Sequence, residues 1–305
     1  MNRNFISVIV CTYNRQDYIG KCLQSLAGQS LQTDAWEVVL VDNSSTDTTP
    51  EICHAFRENN PHINYHYVVE KTQGLSFARN RGIAEATGNL LVFMDDDATA
   101  SAQYLEEILK FFSENPEVMA GGGRIYPDYE TAEPRWMSRY LMPLASVIDL
   151  GEKIRIFPKN KYPIGANMFF RKEVFEKYSS FNTGLGRKAS DLLGGEEKEI
   201  MLRLAANKEK IVYLPKAFVH HYIPESRLTL PFVIRQAEGI GRSEIIRGRA
   251  TGKSLLPVLL MELIKWGASF VLFAAYLLRL RPEKGRMIIK FRYFVSQGML
   301  NELKL

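Results

Sequence analysis

Cysteine is scarce in this chain: three residues in 305, at positions 11, 22 and 53, with no CxxC spacing. An odd, widely spaced set argues against a disulfide framework or a zinc knuckle and fits a reducing compartment. There is no GxxxxGK[ST] phosphate loop, and no GxGxxG follows the first apolar run, so neither an ATPase nor a dinucleotide dehydrogenase is indicated. The N-terminal apolar run, Phe5 to Cys11, is too short for a signal-peptide core. Internal repeats and low-complexity stretches are also missing. What is present is an ordinary globular balance, 46% hydrophobic and 24% charged, which excludes intrinsic disorder. The length suits one large or two modest domains with a sizeable core.

Charge is unevenly placed. The chain carries a net +5, yet residues 240–305 hold twelve Lys/Arg against four Asp/Glu, a net +8, so the preceding residues sum to −3. A slightly acidic body with a basic tail points to an anionic surface met by the tail, either membrane or nucleic acid.

The first 120 residues alternate strand-like and helix-like patterns. Phe5–Cys11, Trp36–Val41 and Leu90–Met94 are short β-branched or apolar runs, as in strands buried on both faces. Ile63–Val69 alternates enough to sit near an edge. Helices are expected from Ile19, with Thr49 as cap and Pro50 at the first position of a second, over Phe77–Thr87 and over Ala102–Ser113. This βαβα order calls for a mostly parallel sheet with helices on both faces. Residues 121–163, rich in Gly, Pro and aromatics, read as a long excursion over the sheet edge, with Gly121-Gly122-Gly123 marking close backbone approach. Strands are expected again at Ile164–Phe170, Ile211–Leu214 and Phe218–Ile223, and helices at Lys172–Tyr178 and Gly194–Ala206. Beyond Leu228 the chain reads helical, with breaks near Gly252 and at Arg281-Pro282. The expected domains are 1–227, divided near 120, and a helical region over 228–305.

Ligands of an open parallel sheet lie beyond the carboxyl ends of its strands. Thr12, Tyr13, Asn14 and Arg15 follow the first strand; Asp42, Asn43 and Ser44 follow the second; Asp95, Asp96 and Asp97 follow the fourth. Three polar clusters on one rim form a candidate site. Three consecutive carboxylates could be a solvated turn or a helix cap. Otherwise they repel one another unless a cation sits among them, and a hard oxygen set suits Mg²⁺ or Mn²⁺ with open positions for phosphate oxygens.

The segments SVIVCTYNR (7–15), VDNSSTDTT (41–49), ARNRGIAEATGNLLVFMDDDA (78–98), GANMFFRKEVFEK (165–177) and GEEKEIMLRL (195–204) resemble, in order and spacing, the successive motifs of family 2 glycosyltransferases. The resemblance spans about residues 5–250. It implies the GT-A fold, a mostly parallel sheet flanked by helices, and inverting sugar transfer from a nucleotide-diphospho-sugar, with UDP as the expected nucleotide. It implies that Thr12, Tyr13 and Asn43 hold the base, with Asn14, Arg15 and Asp42 beside them, and that Arg79 and Asn80 lie near the donor phosphates and sugar. Asp95 and Asp97 match the family's DxD positions, with Asp95 toward the ribose and Asp97 on the metal; Asp96 is extra to that pattern. Gly165, Ala166 and Asn167 would form an acceptor-side strand whose small residues admit a sugar. Glu197 matches the catalytic base, with Glu196 the competing candidate. His221 of the His220-His221 pair would complete the metal site. Arg227 and Gly239–Arg242 would belong to a mobile segment over the donor.

The implied partners are a nucleotide-sugar donor and a saccharide or lipid-linked acceptor. A sugar-nucleotide pyrophosphorylase would need a Gly-rich, basic loop after its first strand, and CTYNRQDY is not one. The tail interleaves its basic residues with aliphatics rather than with stacking aromatics, which argues against nucleic acid. Leu255–Leu278 carries only Glu262 and Lys265, three residues apart and expected to pair. It is followed at once by Arg279, Arg281, Lys284, Arg286, Lys290 and Arg292. The uninterrupted apolar part, Trp266–Leu278, is short for a crossing. An interfacial or re-entrant helix pair over residues 240–305 is therefore expected, at the cytoplasmic face of the inner membrane, ahead of a transmembrane helix or a soluble helical bundle or dimer interface.

Overall fold

The computed structural model describes residues 4–159, 161–187, 194–250 and 254–305. They divide into two compact units: residues 1–128, 146–183 and 196–222 in one, and residues 129–145, 184–195 and 223–305 in the other. The first unit therefore stops a few residues short of the expected boundary at 227, and two internal segments cluster with the C-terminal helices.

The first unit opens as expected. Strand β1 (Ile6–Thr12) is followed by helix α1 (Ile19–Ala27), β2 (Trp36–Asp42), α2 (Thr49–Asn59), β3 (Tyr65–Val69), α3 (Leu75–Glu85) and β4 (Leu90–Asp95). These four strands are parallel in the order β3-β2-β1-β4, with β3 at the edge. β2 is buried at every position, as a strand covered by helices on both faces must be. Cap and helix start differ by one residue from expectation: Thr48 is the cap of α2, and the Thr49 hydroxyl instead accepts the Arg15 backbone N–H at 2.8 Å.

Beyond β4 come β5 (Ala98–Ala100), α4 (Tyr104–Glu114), β6 (Ala120–Tyr129), β7 (Arg155–Ile156), β8 (Met168–Arg171), α5 (Glu173–Tyr178), α6 (Glu196–Ala206) and β9 (Ile211–Ile223). They continue the sheet as β4-β8-β6-β9-β5, with β7 on β9, and the β4–β8, β6–β8, β5–β9 and β7–β9 pairs are antiparallel. Two expectations are corrected here. Residues 120–129 are a central strand, not part of an edge excursion: the glycines that break any hydrophobic period are what let β6 fit. A Cβ on Gly121 would press on the Phe169 ring and the Val212 carbonyl, one on Gly122 on Pro163, and one on Gly123 on the Ala217 carbonyl. The two strands expected around Pro215 are one, β9.

Residues 165–167 are also not strand but a single 3₁₀ turn leading into β8. Asn167 is fully buried and its amide is spent: it donates to the Arg124 and Ala217 carbonyls at 3.0 and 2.9 Å, and accepts from the Tyr104 hydroxyl at 2.9 Å. It ties β6, β9 and α4 together, so its side chain does not face an acceptor.

In the second unit α7 (Leu230–Ala250), α8 (Leu256–Leu278) and α9 (Pro282–Leu303) form a helical group. The break at Pro282 is present; Gly252 lies outside the described residues. Gly241 of α7 meets the Val295 and Met299 backbone, and Gly298 of α9 meets the Glu238 backbone, so these two helices touch without side chains between them. Gly239–Arg242, expected in a mobile flap, is thus helical and packed in mid-α7.

Removing the Asn167 amide leaves two carbonyls and a hydroxyl unsatisfied in the core. Asn167→Ala should therefore destabilise the protein by about 3 kcal/mol, read as a lowered midpoint of thermal or urea unfolding.

Candidate active site

Register brings the three polar clusters together. Thr12 pairs with Asp42 across β1–β2, and Cys11 with Asp95 across β1–β4, so the strands end level and their loops share one rim. β9 adds a fourth contribution. Ala98 pairs with His221, and the Tyr222 N–H donates to the Asp97 carbonyl at 2.9 Å. Strand alternation then decides between the two histidines: His220 faces out, while His221 is buried with Nε2 at 3.1 Å from Asp97 Oδ1.

Ligand atoms of Asp95, Asp97 and His221 lie within 4.8 Å of one another. Two carboxylates and an imidazole are a fitting donor set for a divalent cation of the Mg²⁺/Mn²⁺ kind. The His221 Nδ1 is buried without a hydrogen-bond partner, and Nε2 faces the Asp97 carboxylate. Asp96 is buried as well and interacts with Arg15, whose Nε lies 3.4 Å from it while Nη2 reaches Asp97 at 3.5 Å. Burial pushes the Asp96 carboxyl up to about 7; Arg15 opposes the rise and Asp97 adds to it. The Arg15 guanidinium also faces the Tyr18 ring at 5.4 Å.

Arg79 forms the other half of the charge balance. It is almost fully buried and bridges two carboxylates, Asp95 at 3.6 Å and Glu196 at 2.5 Å, with its guanidinium over the Phe181 ring at 5.5 Å. Its placement depends on residues with structural rather than chemical duties. Asn43 accepts the Gly74 N–H and donates to the Glu70 and Thr72 carbonyls, fixing the loop from which α3 starts. Gly74 has φ +139°, a conformation that requires glycine. One helical turn later Arg79 projects toward the site, and Asn80 holds both the N–H and the carbonyl of Phe181 at 2.9 Å. A Cβ on Gly165 would collide with the Arg79 guanidinium.

Glu196 and Glu197 open α6. Glu196 accepts from Arg79 through Oε1, while its Oε2 is buried without a hydrogen-bond partner. Glu197 has a buried oxygen without a hydrogen-bond partner, and burial, reinforced by Glu196 and opposed by Arg79, pushes its carboxyl up to about 8. A carboxylate poised near neutrality beside a fixed cation suits general-base work.

Several expected contacts resolve into scaffolding. Asn43 and Asn80 both bond backbone, Asn43 at the Glu70, Thr72 and Gly74 peptides and Asn80 at Phe181. Asp42 accepts from the Tyr67 hydroxyl at 2.6 Å and the Ser45 N–H at 2.8 Å. Asn14, at φ +52°, cross-links to Ser45 and Thr46. Ala166 is fully buried, and the missing side chain at Gly165 leaves room for the Arg79 guanidinium. Tyr13 is half-buried with its ring on the rim loop. The roles of Phe181 and Gly165 had no sequence signal, because both act only through a cation 86 or more positions away in the chain.

Residues 7–179 match the Glycosyl transferase family 2 domain. The chain belongs to glycosyltransferase family 2. Over 240 residues it is 25% identical to the glucosyl-dolichyl phosphate glucuronosyltransferase of Haloferax volcanii, covering 75% of this chain and 72% of that protein. Over 235 residues it is 26% identical to the succinoglycan biosynthesis protein ExoM of Rhizobium meliloti, covering 76% and 71%. The mannosyltransferase PcManGT from Pyrobaculum calidifontis, solved with GDP-Man and Mn²⁺, superposes with a TM-score of 0.67 at 20% identity, covering 99% of this chain and 88% of that one. This glycosyltransferase therefore has the GT-A-like α/β fold with a C-terminal helical segment, and it is a transferase acting on nucleotide sugars.

The donor set makes a direct prediction about metal. Mn²⁺ should raise the thermal midpoint, by about 2.7 kcal/mol of stabilisation at a hundred-fold excess over the dissociation constant. Asp97→Asn and His221→Ala should each abolish the shift; a shift that persists in both variants would place the metal elsewhere.

Proposed function

We propose that this family 2 enzyme transfers a sugar, with inversion at the anomeric carbon, from a nucleotide-diphospho-sugar, expected to be a UDP-sugar, to a polysaccharide or lipid-linked oligosaccharide. The observation that carries the reading is the division of labour at the start of α6. Both residues keep one buried oxygen without a hydrogen-bond partner, but Glu196 gives its other oxygen to Arg79, and it is the Glu197 carboxyl that burial pushes up to about 8. Asp95, Asp97 and His221 would hold a divalent cation, Mg²⁺ or Mn²⁺, which when bound offsets the negative charge of the leaving diphosphate.

The remaining work belongs to the side chains. Glu197 takes the proton of the acceptor hydroxyl as that oxygen bonds to the anomeric carbon and the bond from carbon to the diphosphate oxygen breaks. One displacement with one base inverts configuration. Arg79, held over Phe181, supplies fixed positive charge in a dry setting, where it needs no reorganisation during reaction. Arg15 compensates Asp96 and Asp97 on the other side. Thr12 and Tyr13 flank the base position, and the loop built by Asn43 forms its wall. A relative acting on a dolichyl-phosphate-linked sugar and one in succinoglycan biosynthesis support an acceptor of the lipid-linked or polysaccharide kind.

Glu197→Gln should cost roughly 10²–10⁴ in turnover with donor affinity nearly unchanged. Because the group is protonated below its raised pKa, turnover should climb with pH through an ionisation near 8, and that limb should vanish in the variant. A retained anomeric configuration in the product, read by NMR, would refute the mechanism.

We also propose that residues 240–305 bring the enzyme to the cytoplasmic membrane surface. α8 is long and apolar enough to cross a membrane by length and composition, and only 11% of its most apolar window is buried. Its polarity is inverted. Glu262 and Ser269 are the residues it buries, while Leu256, Leu260, Leu263, Ile264, Phe270 and Val271 face solvent. Glu262 does not pair with Lys265. Its carboxylate accepts from Arg292 of α9 at 3.0 and 3.3 Å and from the Ser296 hydroxyl at 2.9 Å, and Trp266 donates to the same hydroxyl. Since α9 runs antiparallel along α8 and exposes Arg286 and Lys290, a crossing would draw charges into lipid. Lying in the interface satisfies both helices. Leu263→Glu combined with Val271→Glu should move the protein from the membrane to the soluble fraction with its circular dichroism unchanged; unchanged partitioning would overturn the docking.

A further inference from the structure

Where α8 ends, the second unit forms a pocket of about 270 Å³, lined among others by Tyr276 and Arg279 of α8, Arg281 and Lys284 at the start of α9, and Glu133 and Arg139 of the 129–145 segment. Four cations and one carboxylate converge there. Lys284 lies 3.9 Å from Glu133, which offsets that single negative charge. Arg139 is steadied on Tyr140, with Nη2 donating to its hydroxyl at 2.7 Å and the guanidinium 4.9 Å above its ring. Among the described residues, Arg279 and Arg281 have no carboxylate within ion-pair distance. Unpaired guanidiniums that share a pocket repel one another, and an anion with several oxygens relieves this through forked hydrogen bonds.

The rim is apolar in an unusual way. Leu280 stands between the two arginines at φ +55°, a left-handed conformation that helix ends normally give to glycine. The turn is fixed by the Arg281 N–H donating to the Tyr276 carbonyl and the Leu280 N–H to the Leu277 carbonyl. Leu278 and Leu280 are 85% and 88% exposed. A glycine would relax the backbone there, whereas this chain places a fully exposed aliphatic beside a cationic pocket. A soluble phosphate would gain nothing from those leucines. A lipid presents a phosphate and, directly beside it, hydrocarbon.

We propose that this pocket binds the phosphate of an anionic membrane lipid whose headgroup carries no cation, with Leu278 and Leu280 seated in the adjoining hydrocarbon. The inference rests on the membrane docking of α8 proposed above and not on the transferase chemistry. It turns a general attraction to negative surfaces into a discrete site. It also fixes which end of α8 is anchored at headgroup level.

The test compares two variants of equal charge change in the full chain, by co-flotation with vesicles. Arg279→Ala/Arg281→Ala empties the pocket; Arg286→Ala/Lys290→Ala removes two exposed basic residues of α9 outside it. On phosphatidylcholine vesicles both should bind like wild type. When phosphatidylglycerol is included, the pocket variant should lose about ten-fold more of the added affinity than the control, whereas diffuse attraction, near-equal for each basic residue, would cost both alike. Leu280→Gly should weaken binding to both vesicle types. Equal losses in the two double variants would overturn the pocket while leaving the docking intact. Suppression of the phosphatidylglycerol-dependent gain by inorganic phosphate at constant ionic strength would overturn the lipid assignment in favour of a free anion. Wild-type protein that floats with neither vesicle would overturn the docking itself and the inference with it.

Discussion

The buried guanidinium of Arg79 is the interaction on which the site depends. It stands between Asp95, at the end of β4, and Glu196, at the start of α6, and so ties the nucleotide-facing rim to the element that carries the candidate base. Removing one partner of such a set leaves uncompensated charge in a dry place, which costs far more than the pair contributes. Much of the surrounding sequence serves this one side chain. Asn43 and Gly74 launch α3 in the right direction, Gly165 leaves room for the guanidinium, and Asn80 holds the phenylalanine that lies under it.

A second charge balance sits beside the first. Asp95, Asp96 and Asp97 bring three negative charges to one turn, met by Arg15, Arg79 and the His221 ring. Burial pushes the Asp96 carboxyl up to about 7, with Arg15 opposing the rise and Asp97 adding to it. A divalent ion on Asp95, Asp97 and His221 would complete the balance and let the carboxylates ionise together. The same logic recurs in the helical unit with opposite sign. There one carboxylate, Glu262, is consumed by Arg292 and Ser296 inside the helix pair, while the basic residues at the α8–α9 corner keep their charge for an outside partner.

The two units present different chemistry. One gathers the Asp95–Asp97 turn and Arg15 at the strand ends, with Arg79 of α3 and Glu197 at the start of α6 beside them. The other shows hydrocarbon on one helix and cations at its end. Under the proposed docking, a lipid-linked acceptor would be met in two dimensions, which raises its effective concentration without any new contact at the site.

The parallel half of the sheet was legible in the sequence because β-branched runs and helix starts are local signals. Those same runs located the three strand-end clusters, since a loop's place follows once its strand is known. Motif order carried the family, and the resemblance favoured His221 over His220; the alternation of β9 is what buries it. In the antiparallel half β8 and most of β9 were legible as strands, whereas β6 was not. Gly121–Gly123 erase the hydrophobic period of β6 because neighbouring backbone and side chains fill the space where their own would be, and no local pattern records that. The resemblance implied donor contacts for Asn43 and Asn80 and an acceptor-side place for Asn167; in the structure Asn43 and Asn80 bond backbone, and Asn167 bonds two carbonyls and the Tyr104 hydroxyl, as a buried amide must be hydrogen-bonded where the chain places it. The partner of Glu262 was decided in the same way. Three residues' separation on one helix favoured Lys265, but packing presented Arg292 on the buried face, where an unpaired carboxylate costs most. Sequence by itself determined which side chains could do the chemistry; only the tertiary structure decided which were left free to do it.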